Sequence, residues 1–138
     1  VIMATRRARL VVSQLQELVK RVGGETADIF HYKWKEDLLS FLFSADSVDT
    51  LMILANGASK LLAEQPSLVE ASLPCKVFGD IHGQLRDLLL LFHAFGLPGK
   101  DPGQHFVFNG DFVDRGAHQL ETIGVLFALK MVMPMNVW

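Results

Sequence analysis

Apolar residues at helical spacing dominate the first part of the chain. In residues 1–22 they recur about every fourth position, which predicts an amphipathic helix that stops at the glycine pair following it. A second helical pattern covers residues 46–73, with Asp46 or Ser47 as its N-cap. Pro66 marks a break in this pattern or the first turn of a short helix after it. The chain therefore begins with helices.

The spacing of apolar residues changes after residue 74. Short apolar runs at residues 75–78 and 105–109 predict buried strands, and residues 84–95 and 119–131 again show helical spacing. Residues 136–138 are expected to begin a third strand. Strand, helix, strand, helix and strand in this order form a βαβαβ pattern, which implies an α/β fold with parallel strands and right-handed crossovers.

Composition narrows the class of protein. A chain of 138 residues has the usual size of one domain, and half of its residues are hydrophobic, which excludes a disordered tail. The net charge of −2 argues against nucleic acid as the main partner. No apolar stretch is long enough for a transmembrane segment. The single cysteine and the absence of a leader favour a cytoplasmic or nuclear protein.

The first helix differs from the rest of the chain in charge. Residues 1–22 carry a net charge of +4, so the remainder sums to −6. A basic amphipathic helix can bind calmodulin, an autoinhibitory partner or an anionic membrane surface. The simpler interpretation, which we favour, is a surface helix packed on its own domain. Residues 1–24 are accordingly treated as a basic helical segment that precedes a domain of residues 25–138.

Polar residues with metal-binding chemistry follow both predicted strands. Asp80 and His82 lie in residues 79–83, two positions apart, so in an extended segment their side chains point to the same side. Asp111 follows the second strand as Asp80 follows the first. Carboxyl ends of neighbouring parallel strands share one edge of a sheet, where two carboxylates repel unless a cation lies between them. This oxygen and nitrogen donor set suits manganese, iron or zinc.

Two more residues of the second loop, residues 110–116, carry candidate chemistry. The guanidinium of Arg115 beside a metal centre indicates a phosphate or carboxylate substrate, because it can make bidentate contacts to such groups. Asp114 either orients a histidine acid or pairs with Arg115.

The amino-acid sequences of these two loops resemble the motifs of a known family. GDIHGQ at residues 79–84 and GDFVDRG at residues 110–116 resemble the first two signatures of the metal-dependent serine/threonine phosphoprotein phosphatases, within the calcineurin-like metallophosphoesterases. The resemblance covers about residues 45–138 and is closest to the EF-hand-bearing and type-7 branches. It implies N-terminal helices followed by a βαβαβ half of the metallophosphoesterase sandwich.

The resemblance also implies roles for individual residues. Asp80 and His82 would bind the first of two divalent metal ions (manganese, iron or zinc), and Asp111 would bridge both. Arg115 would hold the phosphate of a phosphoprotein substrate, and Asp114 would orient the histidine that protonates the leaving serine or threonine oxygen. The implied activity is dimetal hydrolysis of phosphoserine and phosphothreonine.

The family's third signature, Gly-Asn-His-Glu, is expected beyond Trp138. The chain as given is therefore expected to hold at most one metal ion and to be inactive alone. Its other histidines are better explained as structural or solvated residues, with His118 nearest the loops; they are His31, His93, His105 and His118. Two alternatives stay open: a truncated, non-catalytic binding module, and another metallophosphoesterase such as a dinucleoside polyphosphate hydrolase.

Overall fold

The computed structural model describes residues 2–24 and 47–138. Two helices come first, and two strands then alternate with two further helices: α1 (Ile2–Gly24), α2 (Ser47–Ala63), β1 (Cys75–Phe78), α3 (Leu85–Phe95), β2 (His105–Phe108) and α4 (Gln119–Val132). This order confirms the predicted α/β arrangement. Asp46 and His31, which the sequence analysis singled out, lie outside the described residues.

The two strands form a parallel pair. Their register runs from Cys75 opposite His105 to Phe78 opposite Phe108. Beyond β2, Val137 makes a parallel bridge to Phe106, so the third predicted strand is present as a single bridge. The sheet places the carboxyl ends of β1 and β2 side by side, which is where both predicted loops begin.

Helix α1 is packed on the rest of the molecule. It contacts α2, α3 and α4, and its apolar face is buried in the common core, with Ala8, Val11, Val12, Leu15, Leu18 and Val19 at most 8% exposed. The interpretation as a packed surface helix is therefore confirmed. Binding of calmodulin or an autoinhibitory partner through this apolar face stays a prediction, and it would require α1 to leave the core. None of the described helices is long and apolar enough to cross a membrane.

Helix α2 ends at Ala63, before Pro66. Of the two predicted alternatives, Pro66 therefore marks a break in the helical pattern, and no short helix follows it in residues 67–74. Proline has no backbone N–H and disfavours a helical conformation in the residue before it, so Pro66 prevents continuation of the helix. The apolar residues beyond this break are solvent-exposed, Leu68 at 80% and Leu73 at 87%. Their spacing therefore does not reflect a buried helix face.

Aromatic rings fill the space beneath the ends of the strands. Phe78 and Phe108, the last residues of β1 and β2, stack with ring centroids 5.1 Å apart. Phe92 of α3 meets both rings edge-on, at 6.0 Å and 6.3 Å. Such contacts contribute stability beyond the burial of area alone. They hold the strand ends, and the loops that start there, against α3.

Lys130 ties the end of α4 to the segment that follows it. Its side chain is only 5% exposed, and its Nζ donates to the carbonyl oxygens of Pro134 and Val137 at 2.8 Å and 2.6 Å. The ammonium also lies 4.2 Å from the centre of the Trp138 ring. These contacts fix residues 134–138, including the Val137 bridge, against the helix.

Burial lowers the pKa of Lys130 from 10.5 to about 8. Between these pH values the unfolded chain binds a proton that the folded chain has released, so the free energy of unfolding rises with pH. We expect an increase of at most about 1.4 kcal/mol per pH unit from pH 8 to 10.5, measured by urea denaturation. The Lys130→Met chain, which lacks the titrating group, serves as the control. Equal pH slopes in the two chains would contradict this prediction.

Candidate metal centre

The two loops that follow β1 and β2 lie side by side. Residues 79–83 carry Asp80 and His82, and residues 110–116 carry Asp111, Asp114 and Arg115. Parallel strands in register bring both loops to one edge of the sheet, as the sequence pattern predicted.

Asp80, His82 and Asp111 converge on one point. Each of them offers a ligand atom, and these atoms all lie within 4.8 Å of one another. The Nε2 atom of His82 is 3.6 Å from a carboxylate oxygen of Asp80 and 3.9 Å from one of Asp111. Two carboxylates and one imidazole form a donor set that fits a divalent manganese, iron or zinc ion. The three residues predicted as metal ligands are therefore brought together.

The orientation of His82 is fixed from its other side. Its Nδ1 lies 2.8 Å from the carbonyl oxygen of Val113. A carbonyl only accepts, so in this hydrogen bond Nδ1 carries the proton and the lone pair of Nε2 faces the two carboxylates. The imidazole is 16% exposed, whereas the side chains of Asp80 and Asp111 are 67% and 69% exposed. An ion can reach the centre from the carboxylate side.

Backbone hydrogen bonds join the two loops directly. The carbonyl of Asp111 accepts from Ile81 at 3.0 Å and from His82 at 2.8 Å, and Gly83 donates to Phe112 at 2.8 Å. In the opposite direction, the N–H of Gly116 donates to the carbonyl of His82 at 2.7 Å. The three candidate ligands are therefore positioned by main-chain contacts that do not involve their side chains.

This close contact depends on glycine at position 116. A Cβ there would lie 2.4 Å from the carbonyl carbon of Gly83 and 2.4 Å from the carbonyl oxygen of His82. Both are backbone atoms that cannot rotate away. A side chain at this position would therefore push the two loops apart.

The backbone of the loops is strained. Among the described residues, four that are not glycine have φ in the left-handed region: His82 at 49°, Asp111 at 47°, Asp114 at 65° and Arg115 at 74°. All four are residues that the sequence analysis selected. Such conformations cost about 1–3 kcal/mol each and cluster at functional sites. His82 thus reaches the ligand cluster through a turn, so the extended conformation expected for residues 79–83 is wrong. Ile81 points into the core as expected and is 6% exposed.

Asp114 and Arg115 lie in the second loop but outside the ligand cluster. Both are exposed, and within residues 2–24 and 47–138 no hydrogen bond or ion pair is found for the guanidinium of Arg115. Asp114 and Arg115 are therefore not paired with each other.

The described histidines other than His82 have structural partners or are solvated. His105 accepts a hydrogen bond from the indole Nε1 of Trp138 at 3.2 Å, and His118 lies 3.5 Å from Glu121. His93 is exposed on α3. None of the three belongs to the ligand cluster.

Sequence reasoning missed two groups that shape the centre. One is the Val113 carbonyl, and the other is Gln119, whose side-chain amide bonds the backbone of the second loop. Neither could be identified from the sequence, because Val113 acts through its main-chain carbonyl and Gln119 bonds backbone groups that only the fold brings near its side chain.

The glycine contact gives a direct test of how the loops are held. We expect Gly116→Ala to lower the free energy of unfolding by about 1–3 kcal/mol or more, because its Cβ meets backbone. Gly79→Ala is the matched control, since a Cβ at Gly79 has no atom within 4 Å, and its effect should stay within about 0.5 kcal/mol. Chemical denaturation of both variants measures this. A Gly116→Ala chain as stable as the control would contradict the close approach.

Comparison with known proteins agrees with this geometry. Residues 73–137 match the model of the calcineurin-like phosphoesterase family. Over 87 residues, 61% of this chain, the sequence is 42% identical to serine/threonine-protein phosphatase BSL2 of Arabidopsis thaliana. The chain spans 8% of the length of that relative. Residues 73–137 are therefore similar to the calcineurin-like phosphoesterase family, and the chain is similar to a serine/threonine-protein phosphatase of that kind.

Proposed function

We propose that this chain provides the first metal ligands and the phosphate-binding arginine of a protein serine/threonine phosphatase. The observation that carries the proposal is the convergence of Asp80, His82 and Asp111 within 4.8 Å at the ends of two parallel strands. The family and the named relative support a phosphatase-type hydrolase. Phosphoserine and phosphothreonine as substrates follow from the relative's name and are part of the proposal.

The ligand cluster has the chemistry that a divalent ion requires. Asp80 and His82 would hold one ion, and Asp111 would be the carboxylate shared with a second. Divalent ions at such a centre supply Lewis acidity for the attack of water on phosphorus. The described residues offer three ligand atoms in one cluster, which is enough for one ion completed by water. We therefore propose that this chain alone binds one divalent ion.

Arg115 and Asp114 would act on the substrate side. Arg115 is exposed and follows a strained Asp114, so the loop backbone sets the direction in which its side chain leaves the chain. A guanidinium donates two parallel hydrogen bonds to a phosphate group, which both binds and orients it. Asp114 would orient a histidine that gives a proton to the leaving oxygen. Neither role needs a side chain that becomes covalently attached to the phosphate.

Metal binding by this chain tests the ligand assignment. We expect calorimetric titration with Mn²⁺ to show one site, and Asp80→Asn, His82→Ala and Asp111→Asn each to weaken binding at least about tenfold. Asp101→Asn is the matched control. Asp101 lies outside the centre and accepts a hydrogen bond from the Gly103 N–H at 2.9 Å, which asparagine can also accept. Unchanged affinity in all three ligand variants would refute the site.

The substrate class is tested with the full-length protein. We expect Mn²⁺-dependent release of phosphate from phosphoserine and phosphothreonine peptides, and little hydrolysis of diadenosine polyphosphates. Arg115→Ala should lower kcat/KM on the peptides by about 10²-fold, since it removes a donor to the transferred group. Preference for the dinucleotide would indicate the other metallophosphoesterase activity. Metal binding without hydrolysis of either substrate would indicate a non-catalytic module.

A further inference from the structure

Gln119, the first residue of α4, reaches into the second loop with its side-chain amide. Its Oε1 accepts a hydrogen bond from the backbone N–H of Asp114 at 3.3 Å, and its Nε2 donates to the carbonyl of Gly116 at 3.2 Å. A backbone N–H only donates and a carbonyl only accepts, so the orientation of the amide is determined by its partners. One side chain thus bonds the main chain on both sides of Arg115.

The segment that Gln119 bonds is a strained part of the loop. Asp114 and Arg115 both have left-handed φ, at 65° and 74°, although neither is glycine. Such conformations persist only where surrounding contacts enforce them. The Gln119 amide supplies two such contacts, and the bond to Gly116 is partly buried, so water competes less for that bond.

Gln119 also touches the first loop. Its Cγ lies 2.8 Å from where a Cβ at Gly83 would be placed, so the side chain rests directly on the bare glycine backbone. Gly83 follows His82, one of the metal ligands. A single residue at the start of α4 therefore contacts the loop with the ligands and the loop with the arginine.

We propose that Gln119 is a positioning residue that holds the backbone from which the Arg115 side chain extends, so that its guanidinium can bind a phosphate group at the Asp80–His82–Asp111 centre. This inference rests on the proposed function. Gln119 acts through the backbone of residues 114–116 and does not touch the phosphate. Its loss therefore weakens phosphate binding and leaves the metal ligands, which are tied by their own backbone bonds, in place.

Only an amide satisfies both partners. Glutamate at position 119 can accept from Asp114, but it places a second acceptor against the Gly116 carbonyl and adds negative charge. Methionine keeps the length of the side chain and makes neither bond. Gln119→Glu and Gln119→Met therefore remove one and both of the hydrogen bonds, respectively, with little change in shape.

Calorimetry of this 138-residue chain tests the proposal, with Mn²⁺ as the metal and inorganic phosphate as the probe. We expect Gln119→Met to keep Mn²⁺ affinity within about threefold and to weaken phosphate binding to the Mn²⁺-loaded chain about tenfold, the effect of losing two hydrogen bonds. Gln119→Glu should weaken it in the same direction. Gln104→Met is the matched control, because Gln104 also makes two side-chain bonds to backbone, to Pro74 at 2.8 Å and His105 at 3.0 Å, away from the loops.

A double-mutant cycle separates positioning from general stability. If Gln119 acts through Arg115, the chain with both Gln119→Met and Arg115→Ala binds phosphate no more weakly than Arg115→Ala alone. Additive losses, or equal losses of Mn²⁺ and phosphate affinity in Gln119→Met, would overturn the proposal. So would phosphate binding equal to that of Gln104→Met.

Hydrogen exchange gives a readout that needs no metal. The peptide covering residues 110–117 should exchange several-fold faster in Gln119→Met than in the original chain or in Gln104→Met, and unchanged exchange would count against the proposal. A failure of the underlying function looks different. In that case the original chain binds no Mn²⁺, or Arg115→Ala leaves phosphate binding unchanged, and the inference falls with it.

Discussion

The carbonyl oxygen of Asp111 accepts two backbone hydrogen bonds, from Ile81 and His82, and the centre depends on this acceptor. It ties the loop that carries two of the proposed ligands, Asp80 and His82, to Asp111, which would supply the third. Because the bonds run through the main chain, the spacing of the ligand atoms is a property of the fold. An ion that arrives does not have to order the loops, so less of its binding free energy is lost to entropy.

The hydrogen bonds to the Asp111 carbonyl are possible because β1 and β2 end at paired positions in the sheet. Phe78 lies opposite Phe108 in the ladder, and their stacked rings lock that register beneath the loops. Asp80 follows two residues after Phe78, and Asp111 three residues after Phe108, so the pairing forces two carboxylates together. Their repulsion is an unfavourable term that packing and the hydrogen-bond ladder offset in the absence of an ion. A bound cation removes it.

The sequence predicted the order of the elements and the convergence of Asp80, His82 and Asp111, because both depend on local patterns. The periodicity of apolar residues indicates which face of a helix or strand is buried, and a Gly-Asp pair after a strand indicates a loop at the edge of a sheet. The sequence left open whether a short helix follows Pro66; the structure shows none in residues 67–74, where Leu68 and Leu73 are exposed and have no packing partner among the described residues to stabilise one. The contacts of Gln119 could not be predicted, because a side-chain amide bonds whichever backbone groups the fold brings near it.

The left-handed residues show why the loops need so many cross-contacts. Asp111, Asp114 and Arg115 would each relax to a commoner conformation in an isolated peptide, at a gain of about 1–3 kcal/mol per residue. The folded chain prevents this with the hydrogen bonds of Asp111, the close approach of Gly116 and the amide of Gln119. The relaxed loop would turn these side chains away from one another. The strain is therefore the energetic cost of holding the proposed ligand atoms together in the absence of an ion, and the contacts between the loops offset that cost.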